Sequence, residues 1–140
     1  MRKVIIPSLL LILAFSGYAN PSEEDIQEAV FRYQFKHCVL TGSNEVYYLS
    51  VAGKDPSDEL MRRFQGHQPS VEKGSRLQGI SGKASVSFFN ITGIRWKNSK
   101  EVEVEETCAF WGSAEGYVCR VLQEGDRWVV KECRVVWSRG

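Results

Sequence analysis

The chain is short of the residues that announce chemistry. It holds two histidines, two methionines and four cysteines in 140 residues. No two cysteines stand in a C-x2-C pair. Neither a paired-thiol zinc site nor a redox dithiol is therefore written in the spacing. Charge of one sign is missing too, since 18 basic residues meet 17 acidic ones. That balance argues against nucleic-acid binding, which needs a strongly basic face. Beyond the first twenty residues no apolar run approaches the ~20 residues of a membrane span. There are no internal repeats, no low-complexity tails and no catalytic signature.

The most informative stretch that is present comes first. In MRKVIIPSLLLILAFSGYA, Arg2 and Lys3 precede an apolar run from Val4 to Phe15. Gly17-Tyr18-Ala19 then closes it as an A-x-A-like cleavage site. This reads as a secretory signal peptide over residues 1–19, followed by one domain over 20–140. Its removal leaves 121 residues and takes away two cations, which turns the formal +1 into −1. Asn20 follows the cut where a lipoprotein would have Cys. The mature protein is expected to be soluble and exported, to a bacterial periplasm or the extracellular space. In a eukaryotic host Asn90-Ile91-Thr92 would be a glycosylation sequon. A domain of this size buries a real core. Cys38, Cys108, Cys119 and Cys133 would then be disulfide supports in an oxidising compartment.

Ser22-Glu23-Glu24-Asp25 has the spacing of a capping box. Ile26, Ala29, Val30 and Tyr33 follow as one apolar stripe, so a helix is predicted to about Lys36. Glu45–Ala52 alternates as a strand. Asp55 and Pro56 suit the N-cap and first position of a short second helix with Leu60, Met61 and Phe64 on its apolar face. Gln68–Lys83 reads as a loop with at most a short strand near Arg76–Gln78. Four antiparallel strands are predicted beyond it. The first is Ser85–Lys97, bent at Gly93. Val102, Val104, Cys108 and Phe110 form the inner face of the second, against an acidic outer face of Glu101, Glu103 and Glu105. Turns at Ser113–Gly116 and Gly125-Asp126 separate the last two, Tyr117–Gln123 and Arg127–Ser138. The predicted class is α+β: an N-terminal helix and a short second helix packed on a curved, mainly antiparallel sheet of about five or six strands.

The closing strands, with turns at Gly116 and Gly125 and a terminal RVVWSR, resemble cystatin-like α+β proteins of the NTF2/SnoaL type. The resemblance covers residues 85–139 and implies a helix laid in the concave face of a bent sheet. VFRYQFKH at 30–37 with GKDPSDELMRRFQGH at 53–67 is similar to a group of small exported bacterial proteins of unknown function. That likeness spans most of the mature chain and implies no activity.

Four cysteines allow three pairings. Cys108 and Cys119 lie on two arms of one hairpin. A loop at Ser113–Gly116 with an odd register sum puts them on the same side, opposite or one step off. The expected bridges are therefore Cys108–Cys119 and Cys38–Cys133. His37 and His67, with Asp55 and Asp58, admit a mixed metal site or an acid–base pair. The plainer reading is a histidine at each helix C-terminus and aspartates that cap. Arg32, Lys36, Arg62 and Arg63 are either an anion-binding mouth or a solvated face. The many aromatics are either ordinary core or the lining of a concave cavity. Tyr33, His37, Tyr47, Phe88 and Trp96 are the pocket candidates; no catalytic or metal-ligating set and no cofactor is assigned.

Three readings of function follow. The first is non-enzymatic binding of a small ligand or a protein partner on the concave sheet face. The second is a SnoaL-like acid–base enzyme using His37 or His67. The third is a structural envelope protein that forms a homodimer through the open sheet face.

Overall fold

A computed structural model describes residues 21–38, 46–77, 86–110 and 112–140. The predicted signal peptide, residues 1–19, and the chain at 78–85 lie outside the described residues. Two helices and six strands follow one another as α1 (Pro21–His37), β1 (Val46–Val51), α2 (Asp58–Arg62), β2 (Ser70–Lys73), β3 (Val86–Asn98), β4 (Glu101–Phe110), β5 (Ser113–Glu124) and β6 (Arg127–Arg139). The strands make one mixed, mostly antiparallel sheet in the order β2-β1-β3-β4-β5-β6. The α+β class is thus observed, and none of the described helices is long and apolar enough to cross a membrane.

Helix α1 begins at Pro21, one residue before the predicted cap. Proline is at home in a first helical turn, where its missing N–H costs nothing. The buried stripe is Ile26, Val30, Phe31, Gln34, Phe35 and Cys38. It is rotated from the predicted stripe, which had counted Ala29 and Tyr33. The larger apolar pair Phe31 and Phe35, four residues apart, takes the inner face. Phe35 is the hub, with ring centroids 4.7 Å from Tyr47, 5.1 Å from Phe89 and 5.7 Å from Phe64. Leu49, Ile91, Val102, Val104 and Val121 complete a layer with no solvent exposure to speak of.

Strand β2 corrects the sequence reading, which had a loop there. It pairs parallel with β1, Tyr47 opposite Val71 and Leu49 opposite Lys73. A single 3-10 turn at Gly74–Leu77 occupies part of the place where a strand was expected. Strand β1 is also parallel to β3. The β1–β2 and β2–β3 connections therefore run in opposite directions across the sheet. Parallel crossovers share one hand, so α2 and the 3-10 turn after β2 are expected on opposite faces. Accordingly, α2 sends Leu60 and Phe64 into the core beside α1. The 3-10 turn backs onto the other face, where a Cβ on Gly74 would stand 2.9 Å from the Leu49 carbonyl oxygen and 3.1 Å from the Phe88 ring.

The predicted cap of α2 is also corrected. Ser57 is the N-cap; its hydroxyl accepts from the Leu60 N–H. Asp55 instead accepts from the Ser75 N–H at 2.9 Å and from the Ser75 hydroxyl at 2.6 Å, so it ties the 3-10 turn to the end of β1.

From β3 onward the chain is an antiparallel meander. A bulge between Ile91 and Gly93 bends β3 where the sequence placed a bend. The β4–β5 turn is tighter than expected, because Ser113 already pairs with Phe110. This decides the disulfides. The register sum is odd, as assumed, so Cys108 and Cys119 share a face. Yet Cys108 stands opposite Glu115 and Cys119 opposite Val104, four residues apart along the ladder. The expected Cys108–Cys119 and Cys38–Cys133 bridges are replaced by Cys38–Cys108 and Cys119–Cys133. The first bolts the C-terminus of α1 to the middle of the sheet. The second joins directly opposed residues of β5 and β6, with Cα atoms 4.0 Å apart.

Candidate functional site

The five pocket candidates do not converge. Tyr33 and His37 stack on each other along α1, centroids 3.9 Å apart, and the His37 Nδ1–H donates to the Tyr33 carbonyl. Tyr47 is buried in the core. Phe88 points to the opposite face of the sheet, beneath Gly74. Trp96 lies at the far end of β3, half-exposed and edge-on to Trp128. The space beneath α1 is filled by Phe31, Phe35, Phe89 and their aliphatic neighbours.

An open cavity of about 510 Å³ lies elsewhere, between α2 and β2. The chain after α2 turns at Gly66, whose φ of 78° is left-handed and suits only glycine without strain. His67 follows. Its Nδ1–H donates to the Pro69 carbonyl at 2.7 Å. Its ring leans on Phe35 and Tyr47, with centroids 5.2 and 6.0 Å away. The Nδ1 bond fixes the tautomer and leaves Nε2 as the lone-pair nitrogen. Met61, Phe64 and Val71 give the cavity its apolar surface, while Asp58, Arg62, Glu72, Lys73 and Arg76 give it charge. Lys73 donates to Asp58 at 2.7 Å, and this ammonium holds the Asp58 carboxyl below the usual carboxylate range. Arg76 stands looser, 3.8 Å from Glu72. Three cations against two carboxylates leave this wall slightly positive.

Arg62 and Arg63, adjacent in sequence, have different work. Arg62 pairs with Glu59 on the surface. Arg63 turns to α1, 2.6 Å from Asp25, 3.1 Å from Glu28 and 3.5 Å from Glu24. The Arg63 carbonyl accepts from Arg32 at 2.9 Å. The Ser57 hydroxyl completes this seam by donating to Glu24 at 2.7 Å. Half of the predicted basic mouth is therefore a clamp between helices. His37 and His67 each bond a main-chain carbonyl. Among the described residues no group of three or more His, Cys, Asp or Glu is placed to hold a metal ion.

Sequence reading passed over the most perturbed group. Glu106 is 1% exposed on the core face of β4. Gln34 of α1, fully buried, donates its Nε2–H to Glu106 Oε2 at 2.7 Å. Burial pushes the Glu106 carboxyl up to about 8, against its Gln34 hydrogen bond. Glu106 Oε1 and Gln34 Oε1 have no hydrogen-bond partner. A proton on the carboxyl supplies the donor that these two acceptors lack. The signal was available: in the alternation Val102, Val104, Cys108, position 106 is an inner one.

Two of the further openings among the described residues lie beside the core. One, about 540 Å³, lies on the outer face among Ser50, Lys54, Asp55, Ser75, Phe88 and Asn90. There Asn90 Oδ1 accepts from the Ser50 hydroxyl at 2.7 Å, so the asparagine of the sequon is engaged within the fold. The other, about 290 Å³, lies between α1 and Trp128.

The chain matches no family model, no curated protein and no solved structure.

Proposed function

We propose that the chain is an exported, non-enzymatic binding domain whose small amphipathic ligand docks between α2 and β2. One observation carries this reading. The concave face under α1 is packed solid, while the α2–β2 cavity is open, with an apolar floor and a charged rim. Binding sites for small molecules combine these two surfaces. Export is supported by the N-terminal pattern and by four cysteines bonded in two pairs, which belongs to oxidising compartments. The cystatin-like reading is supported by one long helix laid over an antiparallel meander.

The acid–base alternative has one observation in its favour. His67 lines the same cavity as Asp58 and Glu72, and its Nδ1 bond leaves Nε2 as the basic nitrogen. His37, exposed and stacked on Tyr33, has no such setting.

The test is native mass spectrometry of the protein from its host's envelope, followed by amide-shift mapping with small amphipathic carboxylates and amines. Adducts whose shifts centre on Met61, Gly66, His67 and Val71 are expected. Shifts centred on Ala29 and Trp128, or on no single region, would sink the assignment. Turnover of any such compound that is lost in His67→Phe would favour the enzyme.

A further inference from the structure

We propose that the outer edge of β6 pairs with β6 of a second copy of this chain, antiparallel, about a two-fold axis at Cys133. Strand β6 ends the sheet order, so among the described residues only β5 occupies its main-chain groups. Its thirteen residues make it a long edge, and Val135, Val136 and Trp137 along it are 53%, 51% and 42% exposed. Sheets normally shorten or charge such an edge, because it templates further pairing.

The ladder tells which groups are free. Cys119 and Cys133 are directly opposed with Cα atoms 4.0 Å apart. That close spacing belongs to the non-hydrogen-bonded pairs of an antiparallel ladder. The N–H and C=O of Cys133 therefore point away from β5. Hydrogen-bonding direction alternates along a strand, so those of Val135 point outward as well, and those of Glu132 and Arg134 point inward to β5.

Two self-pairings use the straight segment 132–135, which lies between the register shifts of β6. An axis at Arg134 sets the two Arg134 side chains face to face, and like charges directly opposed destabilise a ladder. An axis at Cys133 joins the two Cys133 main chains by a pair of hydrogen bonds. It also sets Glu132 of each copy opposite Arg134 of the other. These are non-hydrogen-bonded positions, where side chains come closest. Both lie on the face of the sheet away from α1, because Cys133 between them faces the core. Charge and main chain thus select one occupant and one register. Two six-stranded sheets become one, with both α1 helices on the same side.

Sedimentation equilibrium of the disulfide-bonded protein tests this. A concentration-dependent dimer is expected, with the Cys133 and Val135 amides protected from exchange in it. Arg134→Glu or Glu132→Arg alone should weaken association about tenfold, since each replaces two attractive cross-strand pairs by repulsive ones. The double exchange Glu132→Arg with Arg134→Glu should restore it. Near-ultraviolet dichroism of each variant separates lost pairing from lost folding, and Arg134→Glu spares the Glu132–Arg120 ion pair within one copy. A monomer at every concentration, or a double exchange no better than the single ones, overturns the proposal.

Discussion

The two edges of the sheet are held by opposite means. At the β2 edge, every element is bound to something distant in sequence. Strand β1 runs parallel to both neighbours, α2 is clamped to α1 through Arg63, and Asp55 reaches Ser75. At the β6 edge each strand is bonded to the one just made, and Cys119–Cys133 closes a loop of only 14 residues. The first edge buys its cavity with crossovers that leave space between helix and sheet. The second leaves a long border that is unpaired among the described residues. The lesson is that connection type sets where an open site can form. Hairpins close their own gaps, whereas crossovers do not.

The largest test of this contrast compares the disulfides. Cys38–Cys108 spans 70 residues and joins α1 to the sheet, against 14 for Cys119–Cys133. By loop entropy the first is worth about 4 kcal/mol and the second about 3 kcal/mol. Paired Cys→Ser replacement should therefore cost more at 38/108 in urea unfolding. The reverse order would show that the hairpin end carries more of the stability than its loop length implies.

The next test concerns the seam between α1 and the sheet. Glu106 holds its proton to about pH 8 when folded, against 4.5 as its ordinary value. Below pH 4.5 both folded and unfolded chains are protonated there, and the contribution of Glu106 is complete. Between 4.5 and 8 only the unfolded chain ionises, so stability falls as pH rises, and it levels off above 8. At about 1.4 kcal/mol per pH unit the loss is on the order of 5 kcal/mol across that window. Glu106→Gln, which keeps a neutral partner for Gln34, should abolish the slope and be the more stable form at pH 8. Equal unfolding free energies from denaturant titrations at pH 5 and 8 would contradict a buried neutral acid.

A smaller effect is expected at the inter-helix clamp. Arg63 is partly exposed, which screens its ion pairs, so Arg63→Met should cost about 1 kcal/mol. Its mark should be local. Amide exchange should quicken in α2 and β2 and stay unchanged at Val104 and Val121. Uniform quickening would mean that the two edges are one cooperative unit.

The same division explains what could be read in advance. Helix α1, β1 and the four meander strands were legible, since periodicity and turn residues are local signals. The bend at Gly93 was legible for the same reason. Strand β2 was not. Its four residues, Ser70–Lys73, carry no alternation long enough to notice, and a parallel partner is announced by no adjacent turn. The disulfide pairing failed by four positions of register, because the turn was placed at Ser113–Gly116 while Ser113 already pairs with Phe110. Of the candidate site, His67, Asp58 and Arg62 had been singled out, but for other roles. Val71, Glu72 and Lys73 could not join them until β2 existed.

The sequence by itself determined the class of fold, the order of its antiparallel half, the inner and outer faces of β4 and the oxidised state expected of its cysteines. Those depend on neighbours one to four residues away. Only the tertiary structure decided which cysteines meet, that Gln34 finds Glu106, that Arg63 clamps α1 and that the open cavity lies beside α2 and not beneath α1. Each of these joins residues brought together by chain closure and close packing, whose energies depend on register and volume rather than on local pattern.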